Sequence, residues 1–527
     1  MIYNENETNR VLMSGIKAVA DVVGVTLGPA RNSVIIDRPD DLPPLVINDG
    51  VTIARNISLS KEEMIGAKLL IEVSKRAQQK AGDGTTTAAV LANALIEQGN
   101  KLQFNPSLIR ESFEFLTEIL CDEIQLNSTE VSLQNIYTIA KISANNDEYM
   151  AHLINEAIQS IGLDGIITVE PSHTGKDSTE LVNGFEASSG YIHTVLERVN
   201  GKSKRMENPL VLISDQDVKE FDEILPALEI AKAEKKPLLI IVKSISPIAL
   251  NSFVVNSMNG TIDASIAKAE DISIWTGLKL GDLATYLDTH YFISALNEDI
   301  KNVELSLLGQ CESVLIDSSK TIFIGGGENE EGILKRIEMI NEDSLTAETE
   351  FHKKKHMSRV GKMNGRAAII KIHGESEQEI QNKKDRLDDS LNAVRSAIQT
   401  GYTLGSGLSL IYYNHKSVYK NNQYLADTVP IEIVETYRDA LSSVFNTLYY
   451  NLKNEHLDYN IVLRKTMDNL SYDGIEDEWY DRNIKEAVID PTGVVISSLR
   501  SAVSVAGYVL TAKRMIMRER HELDRTI

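Results

Sequence analysis

Both ends of the chain carry long runs with apolar residues at helical spacing, while between about 205 and 375 the texture changes to short apolar strands alternating with helices. This change constrains the fold most, because helical ends bracketing an α/β middle imply a discontinuous domain built from both termini around an insert. The first run, residues 8 to 27, places Val11, Ile16, Val19, Val22 and Val23 on one face and stops at Leu27-Gly28-Pro29. A strand-like Ser33 to Ile36 follows. An Asp-Gly turn at Val46-Ile47-Asn48-Asp49-Gly50 then predicts a hairpin or a loop-strand corner, with Val51-Thr52-Ile53 resuming beyond it. Strands are expected at Val211 to Ile213, Pro237 to Val242, Ile272 to Trp275 and Phe292-Ile293, with a hairpin joining Val314 to Ile316 and Ile322 to Ile324. From Asp385 the helical pattern returns with Leu387, Leu391, Val394 and Ile398, and it ends with Val503 to Met517. The fold class is multidomain, α and α/β.

Length fits that division, since 527 residues exceed one ordinary core and suit two to four domains. The formal charge of −22 disfavours non-specific binding to nucleic acid or to an anionic membrane, so any phosphate site must be local. Cys121 and Cys311 have no metal-ligand spacing, which leaves neither a disulfide framework nor a zinc site. The N-terminus lacks a leader pattern, and Arg500 breaks the most apolar C-terminal stretch short of a membrane span. A soluble protein in a reducing cytoplasm is expected.

The chemistry concentrates at Gly82-Asp83-Gly84-Thr85-Thr86-Thr87. A Gly-x-Gly opening a helix lets backbone N–H groups converge on an anion, with the helix dipole adding favourable potential. The threonines add hydroxyl donors, and Thr85 is expected to cap the helix running to Gly99. Asp83 supplies the hard oxygen that an Mg²⁺ on triphosphate oxygens takes. A glycine turn with a threonine cap is the plainer alternative for this segment alone. Gly201-Lys202-Ser203 lacks the first glycine of a Walker A loop, and Gly325-Gly326-Gly327 lacks the third of a dinucleotide fingerprint, so both read as turns. Asp388 and Asp389 stand about 100° apart on a helix, so at most one faces a given site. Asp389 lies off the Leu387-Leu391 stripe, where a carboxylate could orient or deprotonate an attacking water.

Thr26-Leu27-Gly28-Pro29, Asn48-Asp49-Gly50-Val51, Gly82 to Thr87, Ile142-Ser143-Ala144-Asn145, Arg386-Leu387-Asp388-Asp389, Gly405-Ser406-Gly407 and Asp490-Pro491-Thr492 occur in this order. Together they resemble the group I chaperonin (GroEL-like) family over nearly the whole chain. The resemblance implies a helical equatorial ATP-binding domain (1–129 and 400–527), a small intermediate hinge domain (130–182 and 368–399) and an α/β apical domain (183–367). It implies that Thr26, Leu27, Gly28 and Pro29 wrap the nucleotide and that Asp83 ligates Mg²⁺. Gly82 and Gly84 would shape the cradle, Thr85, Thr86 and Thr87 would contact phosphates, Gly405 would line the pocket and Asp490 would hold the ribose side. Asp389 resembles the catalytic carboxylate and Asp49 a second one. ATP and Mg²⁺ are the implied cofactors, with room for K⁺ beside them.

A substrate surface is legible as well. Phe221, Ile224, Leu225 and Leu228 form an apolar stripe, and Ile248, Leu250, Phe253, Val254, Val255 and Met258 make a second helix apolar on more than one face. Such a helix either packs entirely into a core or exposes a binding patch. The resemblance assigns Leu225, Leu228, Leu250, Val254 and Val255, with Tyr191 from a third segment, to the binding of non-native polypeptides and of a co-chaperonin lid. It also implies a homo-oligomeric ring, with seven subunits the family's expectation.

Departures mark a divergent member, with a virus-encoded one working in its host's cytoplasm as one reading. Asn48 stands where the family has a lysine, Arg366 replaces one of the paired hinge glycines and leaves Gly365, and Ser189 replaces an arginine expected to pair with Glu377. Residues 446 to 458 lack the family's glycine-acid-proline pattern between rings, and the C-terminus lacks a Gly-Met tail. The expected function is an ATP-dependent folding machine with ATPase activity. A ring-forming holdase that binds ATP but cycles slowly is the alternative.

Overall fold

The computed structural model describes residues 2–30, 32–37, 44–48, 50–144, 146–163, 165–172, 175–269, 274–347, 349–418, 428–481 and 487–517. The chain divides into two compact units, Met1–Asn155 with Gly374–Ile527, and Glu156–His373. Both chain ends thus build one unit around an inserted other.

The discontinuous unit is helical. Its first helix, Glu5–Gly24, opens with a capping box in which Asn4 Oδ1 accepts from Glu7 N at 3.1 Å and Glu7 Oε2 accepts from Asn4 N at 3.0 Å. Leu12, Ile16, Val19 and Val23 form its buried face. At the centre lies Thr85–Gly99, whose Ala88, Ala89, Leu91, Ala92, Leu95 and Ile96 are fully buried among the helices Glu5–Gly24, Glu63–Ala81, Ile431–Leu441 and Thr492–Thr511. Alanines at the crossing points let these backbones approach closely. Ile2–Tyr3 and Met515–Ile516, from opposite chain ends, pair antiparallel and tie the termini together.

Three expectations are corrected here. The hairpin is Val34–Ile36 with Leu45–Ile47, and residues 51 to 53 do not resume a strand but lie in a helix, Gly50–Asn56. The C-terminal helix runs Thr492–Thr511, and the strand Met515–Ile516 follows it. That helix is long and apolar enough by length and composition to cross a membrane, yet 67% of its most apolar window is buried inside the protein. Its interrupting charge, Arg500, meets Glu118 at 2.5 Å on the surface.

Besides a short parallel pair, Asp217–Val218 with Ser244–Ile245, the inserted unit holds two larger sheets among its described residues. One is parallel in the order Ala264–Lys268, Leu238–Val242, Leu210–Ser214, Tyr291–Phe292, with Gly309–Gln310 added antiparallel to Leu210–Ser214. Leu210–Ser214 and Leu238–Val242 are buried at every position, as strands covered on both faces must be. Helices Leu225–Glu234, Pro247–Met258 and Ile274–Tyr286 connect the parallel strands. The second sheet has the order Ile166–Pro171, Arg366–Ile372, Ser178–Ala187, Thr321–Ile324, Ser313–Asp317, Ser203–Glu207. It includes the expected hairpin, with Leu315 opposite Ile322. Trp275, expected in a strand, is helical instead, and residues 270 to 273 lie outside the described residues. A short apolar run does not by itself distinguish strand from buried helix.

Buried charge locks three helices of this unit together. Asp282, on Ile274–Tyr286, accepts from Arg336 Nε at 2.8 Å and from Arg359 Nε and Nη2 at 2.7 and 2.8 Å. Arg336 belongs to Glu330–Leu345 and Arg359 to Glu350–Met363. Cys121 and Cys311 are free and buried, and burial pushes both thiols up to about 12, which keeps them protonated and unreactive.

Candidate nucleotide site and apolar surface

The Gly82 to Thr87 segment joins two long helices. Glu63–Ala81 closes on Gly82 in the left-handed region, φ +74°, with the Gly82 N–H donating to Gln78 O at 2.7 Å. Gly84 is also left-handed, φ +83°. A Cβ at Gly82 would overlap the Asn392 side chain, and one at Gly84 would overlap Ser498, whose Oγ donates to Gly84 O at 3.1 Å. Glycine is therefore required twice, by backbone conformation and by space.

Thr85–Gly99 begins directly after this turn with Gly84 at the N-cap position and no side-chain cap. This corrects the expectation that Thr85 caps the helix, since Thr85 is its first helical residue. The difference bears on anion binding, because Ala88 N donates to Gly84 O as the first intrahelical bond while the N–H groups of Thr85, Thr86 and Thr87 precede it. Three amides at the positive end of a buried helix form an anion-binding set.

Asp83 projects from between the two glycines with both oxygens engaged. Oδ1 accepts from Gly84 N at 2.5 Å and Oδ2 accepts from Ser143 Oγ at 3.0 Å. Thr26 follows the C-terminus of Glu5–Gly24, and its Oγ1 lies 3.5 Å from Thr86 Oγ1. Gly28 is left-handed at φ +93°. Gly50 abuts the same place, since a Cβ there would lie 2.6 Å from Thr86 Oγ1. Asp49 and Asn145 lie outside the described residues.

The other face comes from 300 to 400 residues further along the chain. Tyr402–Leu404 pairs with Ile489–Pro491, placing Thr403 opposite Asp490, and Gly405 N donates to Val488 O at 3.0 Å. Ser406 at φ +58° and Gly407 at φ +73° then turn the chain, and the Gly407 N–H donates to the Asp490 carboxylate. Burial, and after it the negative charge of Asp83, push the Asp490 carboxyl up to about 7, against the opposing pull of the Gly407 N–H. Two carboxylates that repel each other beside an anion-binding helix terminus suit a hard cation with phosphate oxygens between them. Among the described residues no group of three or more His, Cys, Asp or Glu side chains forms a metal cage. Mg²⁺ fits this arrangement, because it is ordinarily held by one or two carboxylates with phosphate and water completing its shell.

Helix Glu377–Thr400 carries Asp389. Leu387, Leu391 and Val394 are buried, and Ser390 Oγ donates to Ala140 O at 2.9 Å, fixing the helix against Leu133–Ser143. Asn392, one turn beyond Asp389 and on the same side, is the residue pressed against Gly82. Asp388 and Asp389 are both half-buried, one turn before Asn392.

Sequence spacing gave no signal for Ser143 as a partner of Asp83, for Ser498 or for Asn392, because each reaches the cradle only through tertiary packing. Ser143 does fall within the quoted Ile142-Ser143-Ala144-Asn145 segment, which pointed to the site without saying how.

The apolar surface of the inserted unit differs from the expected residues. Leu228, Leu250 and Val254 are buried core residues, as is Tyr191, which is 8% exposed and pushed up to about 12 by burial. Leu225 is half-buried and Val255 is 48% exposed. The large apolar side chains turned to solvent on Pro247–Met258 are Ile248 at 80%, Val255 and Met258 at 70%, along a stripe that also carries the exposed Asn251. The helix is apolar on several faces, and packing against the parallel sheet decides which face is spared.

Comparison with known proteins agrees with this architecture. The TCP-1/cpn60 chaperonin family pattern matches residues 19–520. A chaperonin GroEL of Methanospirillum hungatei JF-1 is 32% identical over 534 residues, covering 100% of this chain and 98% of that protein. The chaperonin gp146 of bacteriophage EL 2 (Pseudomonas aeruginosa), crystallised in the presence of ATP-BeFx, shares the fold in two crystal forms. Form II gives a TM-score of 0.76 at 17% identity, covering 99% of this chain and 100% of that one. Form I gives 0.67 at 18% identity, covering 98% and 99%. With the family pattern matched along almost its whole length and a relative above 30% identity covering all of it, the chain belongs to the TCP-1/cpn60 chaperonin family.

Proposed function

We propose that the chain is the subunit of an ATP-hydrolysing chaperonin that captures non-native polypeptides on its apolar stripe and releases them through a nucleotide cycle. The observation that carries this reading is the cradle, in which Asp83 stands between two left-handed glycines at an open helix N-terminus, with the Asp490 carboxyl raised by burial and, after it, by the charge of Asp83. The GroEL relative and the phage chaperonin crystallised with a nucleotide analogue support it.

Each residue then has a defined task. The amides and hydroxyls of Thr85, Thr86 and Thr87 receive phosphate oxygens, with Gly82 and Gly84 allowing the close approach. Thr26, Leu27, Gly28 and Pro29 close over the nucleotide, Gly405 lines its pocket and Asp490 holds the ribose side. Asp83 holds Mg²⁺, which neutralises charge on the phosphates. Asp389, helped by Asp49, orients the attacking water and takes its proton. K⁺ is a further ion this phosphate-rich site admits.

The subunit is proposed to comprise an equatorial domain (1–129 and 400–527), an intermediate domain (130–182 and 368–399) and an apical domain (183–367), assembled in a homo-oligomeric ring in a cytoplasm. A co-chaperonin lid would compete with clients for the same stripe. Val255 in that stripe and Leu225 on the helix Leu225–Glu234 retain the assigned role, and Ile248 and Met258 of the stripe join them. Non-directional apolar contact suits clients of unrelated sequence.

Mg²⁺-dependent ATP hydrolysis by the wild type and by Asp389→Ala tests the chemistry, and equal rates would remove Asp389 from it. A slow-cycling holdase is the second reading, favoured by Asn48 at the end of the strand Leu45–Ile47 in place of a cation. Recovery of a denatured model enzyme with ATP but not with ADP would exclude it.

A further inference from the structure

The carbonyl groups at the C-terminus of Glu5–Gly24 accept from the chain that follows, Thr26 N on Val23 O and Leu27 N on Gly24 O, both at 3.1 Å, and the last turn of that helix contains no basic residue to supply further donors. Asn451 supplies two. Its Nδ2 donates to Gly24 O at 2.8 Å and to Leu27 O at 2.9 Å, from a position more than 400 residues along the chain. Two carbonyl acceptors fix the orientation of the amide, since only its nitrogen can donate to either.

The surrounding contacts make this a seat for the loop and not an isolated pair of bonds. Asn451 lies on the helix Ser443–Lys453, and Leu448, one turn earlier, packs beneath Gly28, where a Cβ would lie 2.9 Å from Leu448 Cγ. Pro29 faces Gly474, whose own Cβ position is 3.2 Å from Pro29 Cγ. Leu448 also belongs to the cluster of Leu404, Leu408, Phe445 and Tyr472, which flanks the Gly405-Ser406-Gly407 turn. One helix face therefore floors the 26 to 29 loop and supports the turn that brings Asp490 in. Asn451 and the rest of that helix from residue 446 on fall in residues 446 to 458, the stretch that departs from the family's pattern between rings.

We propose that Asn451 is a positioning residue for the nucleotide, holding the loop of Thr26, Leu27, Gly28 and Pro29 in its binding conformation through Gly24 O and Leu27 O; this rests on the ATP-binding reading above. The seated loop keeps Thr26 beside Thr86. Without Asn451 the loop keeps its backbone bonds and its packing on Leu448 but is held less firmly before nucleotide arrives, and binding must supply the cost of ordering it fully. Asn451 touches neither Asp83 nor the helix of Asp389, so the chemical step is spared.

The test compares full-length Asn451→Ser, Asn451→Ala and Asn451→Asp with the wild type by steady-state ATP hydrolysis, by calorimetric ADP binding with Mg²⁺, and by thermal melting without nucleotide. Loss of two neutral hydrogen bonds predicts a KM for ATP and a Kd for ADP raised about tenfold in Asn451→Ala. The serine variant keeps one donor and should fall between Ala and wild type. The aspartate variant, which turns an acceptor towards two carbonyl oxygens, should be the weakest binder. Throughout the series kcat should stay within about twofold, because the groups that stabilise the transition state are untouched. Unchanged KM and Kd, or a fall in kcat at constant KM, would overturn the positioning role, and should one variant not fold, the others retain the ordering. A wild type that binds no ADP would sink the ATP-binding reading instead, which separates the two failures.

Discussion

Ser143 Oγ donates to Asp83 Oδ2 at 3.0 Å, so the carboxylate proposed to hold Mg²⁺ is fixed from a helix that begins 50 residues further along the chain. With Gly84 N on the other oxygen, Asp83 has little freedom to rotate. Partners that orient a metal ligand typically govern affinity by about tenfold or more. Ser143→Ala should therefore raise the Mg²⁺ concentration for half-maximal ATP hydrolysis about tenfold, with turnover recovered at saturating Mg²⁺. A Mg²⁺ titration at fixed ATP checks this, and an unchanged midpoint would show that the serine only packs there.

The Asp490 carboxyl carries a pH signature of its own. Its folded value, about 7, lies above the ordinary carboxylate range, so between about pH 4 and 7 the folded chain holds a proton that the unfolded chain has released. Stability without nucleotide should accordingly fall as pH rises through that window. Asp490→Asn removes the buried charge and should raise the melting temperature of the nucleotide-free protein at pH 8 while leaving it nearly unchanged at pH 5. Thermal melts at the two pH values decide the point, and an equal shift at both would exclude proton linkage at Asp490.

Client capture should follow exposure and not hydrophobicity. Val255→Ser and Met258→Ser change solvent-facing residues on Pro247–Met258, so each should weaken binding of an unfolded model protein several-fold with the melting temperature nearly unchanged. Leu250→Ser places a hydroxyl among buried residues and should instead cost about 3 kcal/mol of stability. Client binding measured alongside thermal melting separates the groups. Loss of capture in Leu250→Ser without loss of stability would return that residue to the binding surface.

How much of this was legible in the sequence depended on whether a signal was local. Leu210–Ser214 and Leu238–Val242 were readable because a strand covered on both faces is apolar throughout, and the cradle was readable because two glycines must stand at fixed spacing. Residues 51 to 53 and Trp275 were misassigned, since three or four apolar residues suit a buried helix as well as a strand. Threonine commonly serves as a cap, but Gly84 in the left-handed region already ends the turn and leaves Thr85 as the first helical residue. On Pro247–Met258 composition announced surplus apolar residues without their orientation, which the sheet beneath determines. Ser143 on Asp83 and Asn451 on Gly24 and Leu27 join residues 60 to 427 positions apart, where no periodicity reaches.

The last prediction concerns the inserted unit, where Asp282 and Arg359 are 2% and 4% exposed and bonded through two nitrogens of the guanidinium. Arg359 Nη1 also lies 3.2 Å from His356 Nδ1, a contact that requires the imidazole to be neutral at that nitrogen. Burial, and then the charge of Arg359, hold His356 below its ordinary range. The folded protein thus binds fewer protons at this site than the unfolded one as pH falls below about 6.5, and the contribution of neutral His356 is lost on acidification. Arg359→Met keeps the apolar stem but leaves Asp282 with Arg336 alone, which should cost about 3 kcal/mol, at the low end for breaking a buried pair because one partner remains. The same substitution removes a cation that depresses His356, which brings its folded value nearer the unfolded one, so acidification should cost the variant less stability at this site than it costs the wild type. Denaturant unfolding at pH 7.5 and pH 5.5 measures both effects, and a variant as stable as the wild type at both would show that Arg336 alone suffices to hold the three helices together.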